Sequence, residues 1–412
     1  MIHLKKTLFG TVCPIPGKSF VLKMGLESCD SADNINNPLL LNQIQSHPIK
    51  RTGTVWTAVA HIVTGVIGSG VLSLPWSIAQ LGWIVGPFSI LLIASSTLYS
   101  AFLLCNTYRS PNPEYGPHRS ASYLDVVNFN LGVGNGRLCG LLVNICIYGF
   151  GIAFVITTSI SLRAIQNSFS RHNKENETVS EFADAYYMLI FGIVQIVLSQ
   201  IPNLHNINWL SVVAAITSFA YCFIGMGLSI MQIMENGYAK GSIDGISTSS
   251  GTQKLWLVSQ ALGDVSFSYP FSTIMMEIQV YSQPLFGNAE NWFRLNYSDS
   301  EFVNHTYTLK LPLLPAFELS FLRLSLRTAY VVSTVVIAMI FPYFNQILGV
   351  LGSISFWPLT IYFPVEIYLS RSNTDPWTAK WIMLQTFNIV GFVFGLFTLV
   401  GCIRGIVTEK IG

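Results

Sequence analysis

The stretch Thr64 to Pro75, T-G-V-I-G-S-G-V-L-S-L-P, lies inside an apolar run long enough to cross a bilayer. Gly65, Gly68, Gly70 and Pro75 nevertheless make it a poor continuous helix. A backbone N–H or C=O freed in hydrocarbon costs several kcal/mol unless protein, water or a ligand satisfies it. A break placed here therefore asks for a partner. Half-helix N-termini face anionic groups and unwound carbonyls face cations, which is how broken membrane helices hold a solute. The competing reading is that Gly68 and Gly70 only let a neighbouring helix pack closely.

Outward from that stretch, composition sets the class. Of 412 residues, 51% are apolar and only 10% charged, far from the roughly one-quarter charged of soluble domains. The chain reads as an all-α polytopic membrane protein. Its net charge of +2 and lack of a basic stripe with interleaved aromatics give no support for nucleic-acid binding. Cys13, Cys29, Cys105, Cys139, Cys146, Cys222 and Cys402 form no C-x-x-C pair, so neither a metal site nor a disulfide framework is expected.

Residues 1–50 read as a disordered cytosolic tail. Lys5 and Lys6 look like the start of a signal peptide, but Gly10, Pro14 and Pro16 interrupt the apolar segment that one would need next. Within 51–412, apolar runs predict nine spans, at 54–75, 81–105, 138–162, 186–202, 209–232, 255–276, 328–346, 348–369 and 380–403. Residues 281–327 carry turn and charge signals throughout and no spanning run. Lys50, Arg51, Arg109, Arg119, Arg137, Arg294, Lys310, Arg323 and Arg327 all fall on one side, which the positive-inside rule makes cytosolic. The amino end is then inside. Of three N-glycosylation triplets, only the one at Asn176 reaches the outer side, whereas Asn296 and Asn304 stay inside.

The sixth span holds a second interruption, L-G-D-V-S-F-S-Y-P-F from Leu262 to Phe271. Pro270 removes an N–H, and the hydroxyls of Ser266 and Ser268 can bond freed carbonyls. Breaks in spans one and six, five apart, are what an inverted repeat of five helices produces.

The chain resembles the plant amino acid permease family, proton-coupled amino acid symporters. The resemblance rests on T-A-V-A-H-I-V-T-G-V-I-G-S-G-V-L-S-L at 57–74, A-Q-L-G-W-I-V-G-P at 79–87, Q-I-P-N at 200–203, Q-A-L-G-D-V-S-F-S-Y-P at 260–270, V-Y-S-Q-P-L-F at 280–286 and F-P-Y-F-N-Q-I-L-G-V-L-G-S-I-S-F-W-P-L-T-I-Y-F-P-V-E at 341–366. It implies a five-plus-five inverted-repeat (LeuT-like) transporter fold with eleven spans, a plasma-membrane location, an amino acid substrate and the proton as coupling ion, with no cofactor. Three departures stand out. Pro75 replaces the family's usual alanine, residues 163–185 lack a cysteine pair found in many relatives, and M-E-I-Q at 276–279 runs directly into V-Y-S-Q-P. Relatives place two spanning helices at that junction, so family helices seven and eight are expected to be missing at 279/280, leaving about nine of eleven.

On this resemblance the substrate carboxylate is assigned to backbone N–H groups over Ile67, Gly68, Ser69, Gly70 and Val71. The ammonium is assigned to carbonyls over Ser266, Phe267 and Ser268, with Tyr269 or Phe267 closing over the side chain. His61, the only histidine inside a span, suits proton coupling by its titration range; the alternative is a neutral ring donating to a carbonyl. Asp264 is the only carboxylate well inside a span, and reads either as a protonation site or as half of an outer gate. Glu366 reads as an interfacial helix-end charge, and Trp56, Trp76, Trp83, Trp357 and Tyr362 as belt and packing aromatics. No H-E-x-x-H, G-x-S-x-G or phosphate-binding glycine loop supports an enzyme. The competing function is a non-transporting membrane sensor, or a shortened product that keeps the ligand breaks. The sequence does not set the oligomeric state.

Overall fold

The computed structural model describes most of the chain from Ser69 to Ile411, together with Val59, Val63 and residues 65–67. Residues 1–58, 111–117, 174–182, 201–207, 270–282, 310–316 and a few single positions lie outside the described residues. All the described residues fall within one compact unit, Thr54–Gly412.

The described residues are helical apart from two short antiparallel hairpins. In chain order they form α1 (Ser69–Cys105), β1 (Arg109–Ser110), β2 (His118–Arg119), α2 (Tyr123–Leu131), α3 (Val133–Asn173), α4 (Ala183–Ser199), α5 (Asn208–Asn236) and α6 (Gly251–Phe267). There follow α7 (Gln283–Asn296), α8 (Glu301–Asn304), β3 (Thr306–Leu309), β4 (Phe317–Ser320), α9 (Phe321–Ile340), α10 (Phe344–Ser355), a π-helical segment (Phe356–Tyr362), α11 (Phe363–Ser372) and α12 (Ala379–Ile411). Arg109 pairs with Arg119 in the first hairpin and Thr306 with Ser320 in the second.

Six of these helices are long and apolar enough to cross a membrane, which makes the chain a polytopic membrane protein. Five of them carry the predicted runs at 138–162, 209–232, 328–346, 348–369 and 380–403, and the sixth, α1, carries the run at 81–105 and the described end of the run at 54–75 on either side of an interruption at Gly82 (φ 81°, ψ 179°). The runs at 186–202 and 255–276 fall on α4 and α6, 17 residues each and shorter than a span, with residues 201–202 and 270–276 outside the described residues. The Gly82 turn requires glycine twice over. Its φ lies in the left-handed region, and a Cβ there would overlap the Ile243 carbonyl oxygen.

Element edges differ from expectation at several places. The first limb of α1 runs through Pro75 to Leu81 instead of stopping at Pro75. A proline there forfeits one intrahelical bond, to the Val71 carbonyl, and the helix continues past it. The turn between α9 and α10 falls at 341–343, set by Pro342 with Phe341 at φ −129°, ψ 74°. Within 281–327, read from sequence as a loop, the chain forms α7, α8 and a four-residue-per-strand hairpin, and α9 begins at Phe321 rather than near 328.

Side-chain ties fix which loops share an end of the bundle. Ser370 Oγ donates to the Asn130 carbonyl at 3.2 Å and Arg371 Nη2 to the Arg109 carbonyl at 2.9 Å, joining the end of α11 to the segment after α1. Arg163 meets Asp184 at 2.5 Å at the opposite end, where α3 hands over to α4. Following the helices from these points, the described residues of 107–132, Gln200, 283–309, 317–320 and 374–378 gather at one end, termed here end A. The Gly82 turn and the described residues of 237–250 and 341–343 gather at the other, end B. Arg109, Arg119, Arg137, Arg294, Arg323, Arg327, Arg371 and Lys380 all stand at end A.

The core has three main parts. One lies between α2, α3 and the π segment with α11, around Tyr123, Ile147 and Phe363. Another packs α1 and α6 on α11 and α12, around Ile93, Val265 and Leu384. The last joins α3, α4 and α9 around Ile156, Met188 and Val335. By contrast, only 11% of the most apolar window of α5 is buried. The π segment contains Pro358, whose missing N–H frees a carbonyl in the turn before it. Phe363 N–H closes back on the Pro358 carbonyl, and the Tyr123 hydroxyl donates to the Leu359 carbonyl at 2.8 Å.

Candidate functional site

The first break lies at Ile67. Val63, Gly65 and Val66 are helical, Ile67 is a bend whose N–H still reaches the Val63 carbonyl at 2.7 Å, and a new helix starts at Ser69. The first residues of a helix have no intrahelical acceptor for their N–H groups. Ser69, Gly70 and Val71 therefore present such donors at the head of α1. Gly70 is buried and Val71 half-buried. Gly68 and the Ser69 side chain, like His61 and Asn176, lie outside the described residues.

The second break lies where α6 stops, at Phe267. Ser268 is a turn residue that folds its N–H back onto the carbonyls of Asp264, Val265 and Ser266. Ser266 Oγ bonds the Leu262 carbonyl at 2.9 Å, one turn back. Phe267 is buried against Ala153, Leu348 and Leu351, with its ring 5.2 Å from that of Phe150. Tyr269 is half-buried beside the core shared by α1, α6 and α12. Pro270 and the residues after it lie outside the described residues.

The two breaks meet. Ser268 Oγ donates to the Gly70 carbonyl at 2.8 Å, and a Cβ on Gly70 would stand 2.6 Å from Ser268 Cα. From there the first limb of α1 and α6 run antiparallel. Ser77 Oγ donates to Asp264 Oδ2 at 3.3 Å, and at end B Lys254 Nζ donates to the Gln80 carbonyl at 2.7 Å. Gly70, Ser73 and Ser77, at i, i+3 and i+7, form the face of α1 turned to α6, and both serines are wholly buried. Sequence reasoning did not single out Ser73 or Ser77, although their spacing from Gly70 is the signal that marks them.

Asp264 is fully buried. Its Oδ1 has no hydrogen-bond partner among the described residues, and none of their three ion pairs includes it. That oxygen sits over Gly349 of α10, where a Cβ would come within 2.8 Å of it and 2.6 Å of Cys402 Sγ. The backbones of α6 and α10 also touch at Gly352, where a Cβ would overlap the Gly263 carbonyl oxygen. The carboxyl thus occupies a niche made by a glycine on one helix and a serine on another. Glu366 accepts from Gln385 Nε2 at 2.8 Å, and Trp357 Nε1 donates to Asn388 at 2.8 Å, so both are spoken for where α11 and the π segment meet α12. Among the described residues, no three His, Cys, Asp or Glu side chains converge as a metal site would need.

Comparison with known proteins matches this framework to one family. A family model described as transmembrane amino acid transporter protein matches residues 51–283 and 304–408. The probable amino acid permease 7 of Arabidopsis thaliana is 39% identical over 450 positions, covering 90% of this chain and 96% of the relative. Amino acid permease 2 from the same plant is 34% identical over 440 positions, covering 88% and 89%, and amino acid permease 3 is 35% identical over 438, covering 87% and 92%. No solved structure matches the chain. Ninety per cent of 412 residues is about 371, so roughly 79 of the 450 positions shared with permease 7 have no counterpart in this chain. With the family model matched over most of its length and three permeases aligned nearly end to end, the chain belongs to the plant amino acid permeases of the transmembrane amino acid transporter family.

Proposed function

We propose that this chain is built as a proton-coupled amino acid symporter on a five-plus-five inverted repeat, with its two helix breaks forming the substrate site. Membership of a transporter family makes the cargo an amino acid and the chemistry non-enzymatic. The observation that carries the rest is the meeting of the breaks at Gly70 and Ser268, with antiparallel half-helices leading away from it. A carboxylate at the head of α1 accepts from the N–H groups over Ile67 to Val71, which also carry the positive end of the helix dipole. An ammonium at the foot of α6 donates to carbonyls over Ser266 to Ser268, at the negative end of that helix. Phe267 and Tyr269 flank the substrate side chain. Proton coupling falls to His61 or Asp264, the two ionisable groups of the broken spans. The amino end is cytosolic, in keeping with the basic residues gathered at end A, and the membrane is the plasma membrane.

The 412-residue form itself is proposed not to complete transport. The shortfall of about 79 positions against permease 7, together with the interruption of the family match between 283 and 304, fits the loss of family helices seven and eight at 279/280. Two spans with their loops account for that length. The test is uptake of labelled amino acids at acid external pH, comparing this chain with one carrying the corresponding segment of permease 7, at matched surface abundance. Uptake by the restored chain alone is expected. Equal uptake by both overturns the inactivity, and uptake by neither overturns the symporter reading in favour of a sensor.

A further inference from the structure

Phe344–Ser372 form one apolar span of 29 residues, yet its middle is π-helical. Regular bonding is barred there by Pro358 and Pro364, each of which lacks the N–H that would close a turn. One carbonyl shows the consequence. In an α-helix the Leu359 oxygen would accept from Phe363 N–H, but that N–H is given to Pro358; in the wider π turn it would accept from residue 364, which is proline. Its donor comes from another helix. Tyr123 of α2, wholly buried, gives its hydroxyl to the Leu359 carbonyl at 2.8 Å, and its ring stands edge-on to that of Phe363 at 6.4 Å. A buried carbonyl without a donor is costly, so this hydroxyl supplies what Pro364 withholds.

The two halves of the span are held by different neighbours. α10 is seated on α6, backbone against backbone at Gly352 and Gly263, and its Gly349 floors the niche of Asp264. α11 is tied to the end-A segments, through Ser370 to the Asn130 carbonyl and through Arg371 to the Arg109 carbonyl. Helices bend where prolines and π turns interrupt their regular bonding, and this interruption falls between the two halves. We infer that the Phe356–Tyr362 segment is a hinge used in transport and that Tyr123 is the positioning residue that latches it. With the hydroxyl on Leu359 the span is stiff, and α10 keeps its angle to α11. With the hydroxyl withdrawn, α10 follows α6 while α11 stays with α2.

The latch is tested by hydrogen exchange on the purified 412-residue protein, read by mass spectrometry over residues 356–372. Tyr123→Phe keeps the ring and removes the hydroxyl, and is expected to speed exchange there about tenfold. Pro364→Ala supplies the N–H that Leu359 lacks, so adding it to Tyr123→Phe should return exchange to the unmutated rate. A side chain that only fills space would not be repaired in this way. Should Tyr123→Phe alone not fold, the double variant should; failure of both, or exchange that Pro364→Ala does not repair, overturns the latch. The hinge is read from the distance between spin labels on keto amino acids at positions 345 and 372, which spare the native cysteines. Its distribution should broaden in Tyr123→Phe and narrow again in the double variant, and an unchanged distribution overturns the hinge. Its use in transport rests on the carrier function proposed above. In the chain restored with the permease 7 segment, Pro364→Ala, whose bond cannot be withdrawn, should lower turnover severalfold at unchanged KM. Full turnover overturns that use, whereas no uptake by any restored chain sinks the symporter reading and leaves the hinge to the spin-label distances.

Discussion

The hydroxyl of Ser268 hydrogen-bonds the carbonyl of Gly70 at 2.8 Å, tying the end of one broken helix to the beginning of another 198 residues away in sequence. Because Ser268 Cα lies only 2.6 Å from where a Gly70 Cβ would be, the contact is backbone against backbone and cannot yield by a rotamer change. In a chain restored to the length of permease 7, Gly70→Val is therefore expected to abolish amino acid uptake while surface abundance persists. Ser268→Ala removes one hydrogen bond and no bulk, costing about 1 kcal/mol of stability. Normal uptake by Gly70→Val at matched abundance would remove the substrate site from this break.

Asp264 and His61 separate by their effect on pH dependence. Asp264→Asn replaces a buried carboxyl by a neutral group of its own shape, so the fold is expected to survive. If Asp264 carries the coupling proton, uptake by the restored chain loses its acid stimulation in that variant and keeps it in His61→Ala. The reverse pattern assigns the proton to His61, and two unchanged profiles would exclude both.

Ser77 supplies the one hydrogen bond recorded for the Asp264 carboxyl. Ser77→Ala should lower stability by about 1–3 kcal/mol, the usual cost of stranding a buried polar group. In the Asp264→Asn background the same change should cost less, and thermal unfolding of the four proteins measures the coupling. Additive costs would mean that the 3.3 Å contact carries no energy.

Gly349→Ala places a methyl group 2.6 Å from Cys402 Sγ and 2.8 Å from Asp264 Oδ1. Overpacking of this kind costs about 1–3 kcal/mol. Cys402→Ala should restore part of the loss and no more, because the carboxyl still stands in the way. Full rescue in melting temperature would show that only the thiol matters.

Sidedness gives a further outcome. Removing Asn296 or Asn304, both at the arginine-rich end A, should leave electrophoretic mobility unchanged in a glycosylating host. A shift from either would place end A in the lumen and invert the topology.

Much of this was open to reading along the chain. Glycines and prolines announce both breaks, because each removes a side chain or an N–H that a continuous apolar helix would use. Apolar run length found each described long helix but not its ends: α3 runs to Asn173 where the run stopped at 162, because its last turns are polar and leave the apolar window. The Asp264 niche was not legible, since nothing local to α6 tells that Gly349 forms its floor or Ser77 its one donor; both come from helices distant in sequence. Pro75 was read as an end although it costs a single bond, to Val71. The fold of 283–320 escaped because its charges looked like a solvated loop, whereas Glu290 is half-sequestered under Arg323 and Arg327. Phe286 beneath Arg327 was the apolar signal in that stretch.

The Gly82 turn carries a mechanical implication. Loop 237–250 straps across it: Trp83 N–H reaches the Ser242 carbonyl at 3.3 Å, Ile246 N–H reaches the Ala79 carbonyl at 3.0 Å, and Lys254 bridges the carbonyls of Gln80 and Ile246. The first limb of α1 and α6 are thus riveted near end B as well as at Gly70 and Ser268. Two rods pinned at both ends cannot part like scissors; they tilt together as one lever. Any rocking of this pair then has its fulcrum where the rivets stop, at the bend of Ile67 and the turn of Ser268 and Tyr269, so under the proposed substrate site the unwound backbone assigned to the cargo would also be the axle.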